Sequence, residues 1–392
     1  MKIEASRRVQ SIGAYAFAEV DEQVTKLKAK GIKPIDFGVG DPTCPTPPVV
    51  RSATRKGVET RKCAGYPSYI GSGDYRAACA AWMKRRFGVT VDPATEICAT
   101  LGSKEAVFNF AEGFVNPGDH VIIPTPGYPP YSRGTLFAEG RAYYVPLLPE
   151  NKFLPDLDAI PKNICKKAKI LWINYPNSPT GVNAPLSFFK KAVAFGKKHN
   201  IIVASDEAYT EIFYGDPPHS ILEVAKEGVV AIHSMSKRSA MTCYRVGWLA
   251  GDARIVSVFK KVKTNIDSGT PTFIQDGAVA GLADETHVRQ SRREYKQKRD
   301  ILVEGLTAAG LPNCAPEATI YLWQRVPKGM SSVEFATRLL DPEIAIVTTP
   351  GAWLSDRTDK GLNPGEGYVR FALVPSIAET RAAANKLKNL KL

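Results

Sequence analysis

The chain has 392 residues, 44% hydrophobic and 23% charged, which predicts a soluble protein of two or three domains and excludes a disordered or low-complexity one. Seven cysteines without a CxxC and five scattered histidines argue against a disulfide framework and a zinc site, so no metal is expected; no run reaches the ~18 apolar residues that cross a bilayer and no secretory h-region is visible, so a cytoplasmic protein without membrane contact is expected. The net charge of +13 comes from basic residues interspersed with acidic ones, without an RNA-binding aromatic pattern or zinc finger, which predicts a solvated basic surface that attracts small anions and no nucleic-acid partner.

In chain order, residues 1–45 show no sheet partner of their own and are expected to pack with the C-terminal part. The stretch 103–115 reads as a helix with Ser103 as its cap, and 185–199 as a helix with Pro185 near its first turn. Short apolar runs at 121–123, 170–173, 201–204, 229–232 and 246–250, mostly rich in β-branched residues and bounded by turn residues, predict buried strands. Strands alternating with helices predict an α/β fold over 46–285: a mostly parallel central sheet with helices on both faces. Near residue 284 the pattern changes. A long charged helix is predicted over 284–309, with Val288, Tyr295, Ile301, Leu302 and Leu306 as its apolar positions. Strands at 320–326 and 368–374 and helices at 332–340 and 377–387 follow, so 286–392 is expected to form a smaller α+β domain.

Four segments carry chemistry. Leu101-Gly102-Ser103-Lys104-Glu105 opens a predicted helix, whose free N–H groups favour a phosphate, although such a stretch alone is more often an ordinary helix start. Asn177-Ser178-Pro179-Thr180-Gly181 is by itself a turn. Asp206-Glu207-Ala208-Tyr209 ends a strand run, where Asp206 can serve a ring nitrogen, Tyr209 a phenolic oxygen, or Asp206 simply a helix cap. Ser234-Met235-Ser236-Lys237, with Arg245, follows another strand run. Its hydroxyls and guanidinium suit a phosphate and its amine a carbonyl, but an isolated SxSK is more often a surface loop. Gly38 and Gly40 do not form a dinucleotide fingerprint, because Asp41-Pro42 follows instead of a helix.

Taken together and in order, these segments resemble the class I aminotransferases of fold type I. The likeness extends to Phe37-Gly38-Val39-Gly40-Asp41-Pro42, Gly65-Tyr66-Pro67, Pro126-Gly127-Tyr128 and Tyr368-Val369-Arg370, and so covers nearly the whole chain. It implies pyridoxal 5'-phosphate as cofactor, with Lys237 as its Schiff-base lysine. By the same resemblance Asp206 would pair with the pyridine nitrogen and Tyr209 with the phenolic oxygen. Ser103, Lys104, Ser234, Ser236 and Arg245 would hold the phosphate, Tyr128 would stack on the ring, and Arg370 would clamp the substrate α-carboxylate. A homodimer with shared active sites is implied, in which Tyr66 reaches the neighbouring subunit's phosphate. The family usually has Asn directly before Pro-Thr-Gly; here Ser178 stands there and Asn177 one residue earlier, so either can meet the phenolic oxygen.

The run Ser236-Lys237-Arg238-Ser239-Ala240-Met241-Thr242 resembles the subgroup acting on diaminopimelate or its N-succinyl form. Tyr15-Ala16-Phe17 is similar to a stretch of the LL-diaminopimelate aminotransferases in which the Tyr touches substrate, and Gly40 and Ser268-Gly269 fall at matching places. The substrate-binding set expected from this likeness is Tyr15, Gly40, Lys104, Tyr128, Ser268 and Arg370. Amino transfer from LL-diaminopimelate to 2-oxoglutarate in lysine biosynthesis, by a ping-pong mechanism, is the implied activity. The succinylated form or aspartate is the alternative substrate, and a lyase or a non-enzymatic regulator the alternative class. Glu105 or a partner-chain residue is a candidate for the distal ammonium.

Overall fold

The computed structural model describes residues 1–12, 18–42, 44–63 and 65–390. In chain order its strands are β1 (Ile35–Asp36), β2 (Ile97–Thr100), β3 (His120–Thr125), β4 (Arg141–Pro146), β5 (Ala168–Asn174), β6 (Ile202–Asp206), β7 (Val229–Ser234), β8 (Gly247–Gly251), β9 (Tyr321–Arg325), β10 (Ile346–Val347), β11 (Thr349–Pro350) and β12 (Tyr368–Ala372). Seven of them form one sheet in the order β2-β8-β7-β6-β5-β3-β4. The run from β7 to β4 is parallel, while β8 lies antiparallel to both β7 and β2. This is the α/β architecture with a mostly parallel sheet that the alternation of runs predicts.

Both faces of the sheet are buried, so its strands read as continuous apolar runs rather than alternating ones. In β5, Ile170 and Trp172 join Phe110 and Phe259 on one face, while Leu171 and Ile173 join Phe189 and Tyr175 on the other. A second apolar cluster gathers Phe37, Leu302, Leu306, Leu322, Phe335 and Phe371, with β9, β11 and β12 as a small antiparallel sheet. The helix Thr286–Ala308 enters this cluster through Tyr295, Leu302 and Leu306.

Three sequence expectations are corrected. The segment before residue 45 does have a strand partner: Ile35 and Asp36 pair in parallel with Ile346 and Val347, a ladder too short for any periodicity to announce. The helix Ser103–Phe114 is not capped by Ser103; Gly102 occupies the cap position at φ 73°, a left-handed value that suits glycine. Strands β2 and β4 had no counterpart among the predicted runs. β2 is only Ile-Cys-Ala-Thr, and β4, at the sheet edge, carries half-buried tyrosines between Arg141 and Pro146.

Candidate functional site

A cleft of about 640 Å³ opens where the sheet strands end and the second cluster begins. Parallel strands β5, β6 and β7 deliver their last residues Asn174, Asp206 and Ser234 to it. Because β8 runs the other way, its first residue, Gly247, sits beside Ser234 and Thr100, and Arg245 just before it reaches the same cleft. Ligands of open α/β sheets bind at this end of the strands.

At the deep side, Asp206 is buried, and its carboxylate accepts from the Tyr131 hydroxyl at 2.7 Å and from the Ala208 N–H at 3.2 Å. Burial pushes this carboxyl up to about 6, against the pull of the Tyr131 hydrogen bond. Asn174 donates to the Asp206 carbonyl at 2.8 Å and accepts from the Ser178 N–H at 2.8 Å, which fixes the turn between them. Tyr209 shares a hydrogen bond of 3.0 Å with the hydroxyl of Tyr321, and burial raises its phenol well above the ordinary value. Tyr128 stands at the mouth, its ring T-shaped to Tyr131 at 5.9 Å.

Lys237 lies on the single-turn helix Met235–Arg238, whose cap Ser234 accepts from the Ser236 N–H at 3.1 Å. Its ammonium donates to the Gly40 carbonyl at 2.6 Å. Burial lowers its pKa, partly opposed by Tyr321 and Asp41 and assisted by Arg370 and Arg245. Arg245 has φ 54° and donates to the carbonyls of Thr242 at 2.7 Å and Leu101 at 3.1 Å. Its guanidinium lies against the bare face of Gly102, where a Cβ would stand 2.5 Å from Nη2. Ser103, Lys104 and Ser236 line the cleft beside it. On the opposite wall Arg370 donates to the Gly38 carbonyl at 2.8 Å and lies over the Tyr321 ring at 4.5 Å, while its buried Nε–H has no partner among the described residues.

The structure thus brings Gly40, Ser103, Lys104, Tyr128, Ser178, Asp206, Tyr209, Ser234, Ser236, Lys237, Arg245 and Arg370 to one cleft. Asn177 does not join them. It is buried in the turn, its amide donating to the Asn174 carbonyl and its oxygen accepting from Thr180 N–H and Oγ1, so Ser178 alone of the two faces the cleft. Ser268 lies outside the cleft lining, beside Gly269, whose backbone closes on Ser68. Glu105 turns away to Leu101 N–H, Asn109 and the buried Lys263, which leaves it no role toward a distal ammonium in this chain's cleft. Tyr66 is 87% exposed and does not line the cleft of its own chain. Tyr15 falls outside the described residues. Tyr131, Asn174 and Tyr321 were missed. Asn174 was legible as the residue closing a strand run, but Tyr321 arrives from β9 with no local signal.

The aminotransferase class I and II family pattern matches residues 32–387. The chain is 44% identical to the LL-diaminopimelate aminotransferase of Aquifex aeolicus over 99% of its own length and 100% of that relative's, and 41% identical to that of Syntrophobacter fumaroxidans over the full length of both. Among solved structures it superimposes on substrate-bound BacF from Bacillus subtilis with a TM-score of 0.90 at 30% identity, covering 99% and 98% of the two chains. An aspartate aminotransferase variant of Thermus thermophilus gives 0.90 at 27%, covering 99% and 100%. With the motifs, the sheet order and these full-length likenesses in agreement, the chain belongs to the class I and II aminotransferases, on the fold type I architecture.

Proposed function

We propose that this chain moves an amino group from LL-diaminopimelate to 2-oxoglutarate as a step of lysine biosynthesis, with pyridoxal 5'-phosphate held in the cleft. The observation that carries the reaction class is the convergence of Lys237, Asp206 and Arg370 on one cleft at the strand ends. The substrate reading is supported by full-length relatives, 40–44% identical, that bear the name LL-diaminopimelate aminotransferase.

The residues present fit the cofactor. The bare face of Gly102 beside the Arg245 guanidinium, with Ser103, Ser234 and Ser236 around it, makes a cradle for a phosphate. Asp206, deep and hydrogen-bonded to Tyr131, is the carboxylate for the ring nitrogen; Tyr209 and Ser178 serve the phenolic oxygen, and Tyr128 covers the ring. When bound, the cofactor supplies an electron-withdrawing ring that makes the substrate Cα proton acidic. Arg370, on the cleft wall, holds the substrate α-carboxylate through its guanidinium. Lys237, whose pKa burial lowers, is the group that would take the substrate Cα proton and deliver it two bonds away, on the far side of the substrate nitrogen. The chain is read as a homodimer in which the exposed Tyr66 extends toward the other subunit's cleft.

Lys237→Ala is expected to abolish steady-state transamination and the visible absorbance of the loaded protein, and borohydride reduction should label Lys237 in a peptide map. Retained turnover, or label on another residue, overturns the assignment. Steady-state rates on LL-diaminopimelate, its N-succinyl form, aspartate and glutamate decide the substrate; it is wrong if the unmodified diamine is the poorest. Formation of pyridoxamine phosphate on adding the amino acid alone separates transfer from elimination.

A further inference from the structure

The residues directly after Lys237 leave the cleft and enter a buried polar array at the head of the helix Thr286–Ala308. Arg238 is 3% exposed and donates to the Gly281 carbonyl at 2.6 Å, to Glu285 at 2.5 Å and to the Ser239 hydroxyl at 3.0 Å. Ser239 Oγ lies 2.9 Å from His287 Nε2, and His287 Nδ1 lies 2.8 Å from Asp284 Oδ2. Asp284 also accepts from the Thr286 N–H at 3.1 Å, so it closes the first turn of the long helix. Arg238 donates to the Ser239 hydroxyl, and with the ring proton on Nδ1 the donors and acceptors run in one direction: guanidinium to hydroxyl, hydroxyl to Nε2, and Nδ1–H to carboxylate. That order needs a neutral ring. Burial lowers the His287 pKa, and Arg238 adds to this, against the opposing pull of Asp284 and Glu285.

A serine, a histidine and an aspartate in series also describe a hydrolytic triad. Here the hydroxyl cannot serve as one. Ser239 is 1% exposed, does not line the cleft, and its oxygen is occupied by Arg238. The array joins elements instead. The next residue, Ala240, has φ 47°, a left-handed conformation unfavourable for alanine, and its carbonyl is held by Thr46 Oγ1 at 2.8 Å. The loop behind Lys237 is therefore pinned in a costly backbone conformation from two sides, by the segment before the helix Pro48–Thr60 and by the helix Thr286–Ala308.

We propose that the Arg238–Ser239–His287–Asp284 chain is a positioning device that fixes the turn carrying Lys237 to the helix joining the sheet to the second apolar cluster, and so sets the orientation of the reacting amine. It acts through Lys237 and touches neither substrate nor cofactor. The inference rests on the proposed function, since it assumes that the Lys237 amine is the group that reacts.

The test is a pH titration of the visible absorbance of the loaded holoenzyme, with kcat and KM, for wild type, Ser239→Ala, Ser239→Thr and His287→Asn. His287→Asn keeps a donor for Asp284 and loses the acceptor for Ser239. Ser239→Ala and His287→Asn are expected to shift the titration midpoint by at least about half a pH unit. Their kcat should fall roughly tenfold with KM little changed, and Ser239→Thr, which restores the hydroxyl, should behave as wild type. A purely structural role would lower the melting temperature without moving the midpoint. If Ser239→Ala does not fold, His287→Asn carries the comparison. A normal wild-type band with an unmoved midpoint in the variant overturns the coupling alone; a wild-type protein with no such band overturns the proposed function and the coupling with it.

Discussion

Asp206 shows how much one side chain carries. Its folded value of about 6 lies above its ordinary 3.8, so its contribution to stability is fully present below about pH 4 and is lost as pH rises through about 6. The cofactor-free protein is therefore expected to lose stability over that window, by an amount on the order of 3 kcal/mol from this group. Glu207, pushed up to about 7 by burial, extends the loss to higher pH. Cofactor-free Asp206→Asn should be flatter between pH 4 and 6 in a denaturant titration, while losing its use as a charged partner for a ring nitrogen. An unchanged slope would show that Asp206 does not titrate there. At this scale the placement of Lys237, Asp206 and Arg245 in one cleft was legible from the order of motifs along the whole chain, not from any one of their local stretches. It was blind to Tyr321, whose hydroxyl meets that of Tyr209, 112 positions earlier, only because β9 packs across the cleft. Asn177 and Ser178 could not be ranked from sequence, because the choice depends on which side of one turn faces inward.

Among elements, the reversed strand β8 brings Arg245, just before it, to the cleft. Its first residue, Gly247, faces the His233 carbonyl of β7, and a Cβ there would stand 2.5 Å from that oxygen. Gly247→Ala is expected to push the two strands apart at the cleft end and cost about 1–3 kcal/mol of stability. Arg245 lies two residues away, so cofactor should also dissociate more readily; equilibrium dialysis against thermal unfolding measures the two effects separately. A variant as stable and as tightly loaded as wild type would mean that the strand end accommodates the methyl group. Buried runs such as β5 and β7 were readable as continuous β-branched stretches bounded by turn residues, and the helix Thr286–Ala308 by its length and spaced apolar positions. The two-residue ladder of β1 and β10 and the four-residue β2 offered too few positions for any pattern. The glycine at 102 in place of a serine cap follows from the closeness of Arg245, a contact set by the tertiary fold.

For the whole molecule, the net charge of +13 and the cleft itself point the same way. Lys104, Lys237, Arg245 and Arg370 line the cleft against the carboxylates Asp41 and Asp206. A dianionic oxo acid should be drawn in, and kcat/KM for 2-oxoglutarate should fall as ionic strength rises from about 0.01 M to about 0.1 M, where the screening length shrinks from ~30 to ~10 Å. The value of kcat should change much less, since charges already in contact are poorly screened. Stopped-flow binding across that salt range would show no trend if the field of the protein plays no part in encounter.

One contact links the two ends of the site. The Lys237 amine donates to the backbone carbonyl of Gly40, on a stretch whose neighbour Gly38 receives Arg370 and Thr349. Once that amine is committed elsewhere, the carbonyl loses its donor and must turn to water or shift. The state of the Lys237 amine is thereby tied, through one hydrogen bond, to the main chain near the start of the protein.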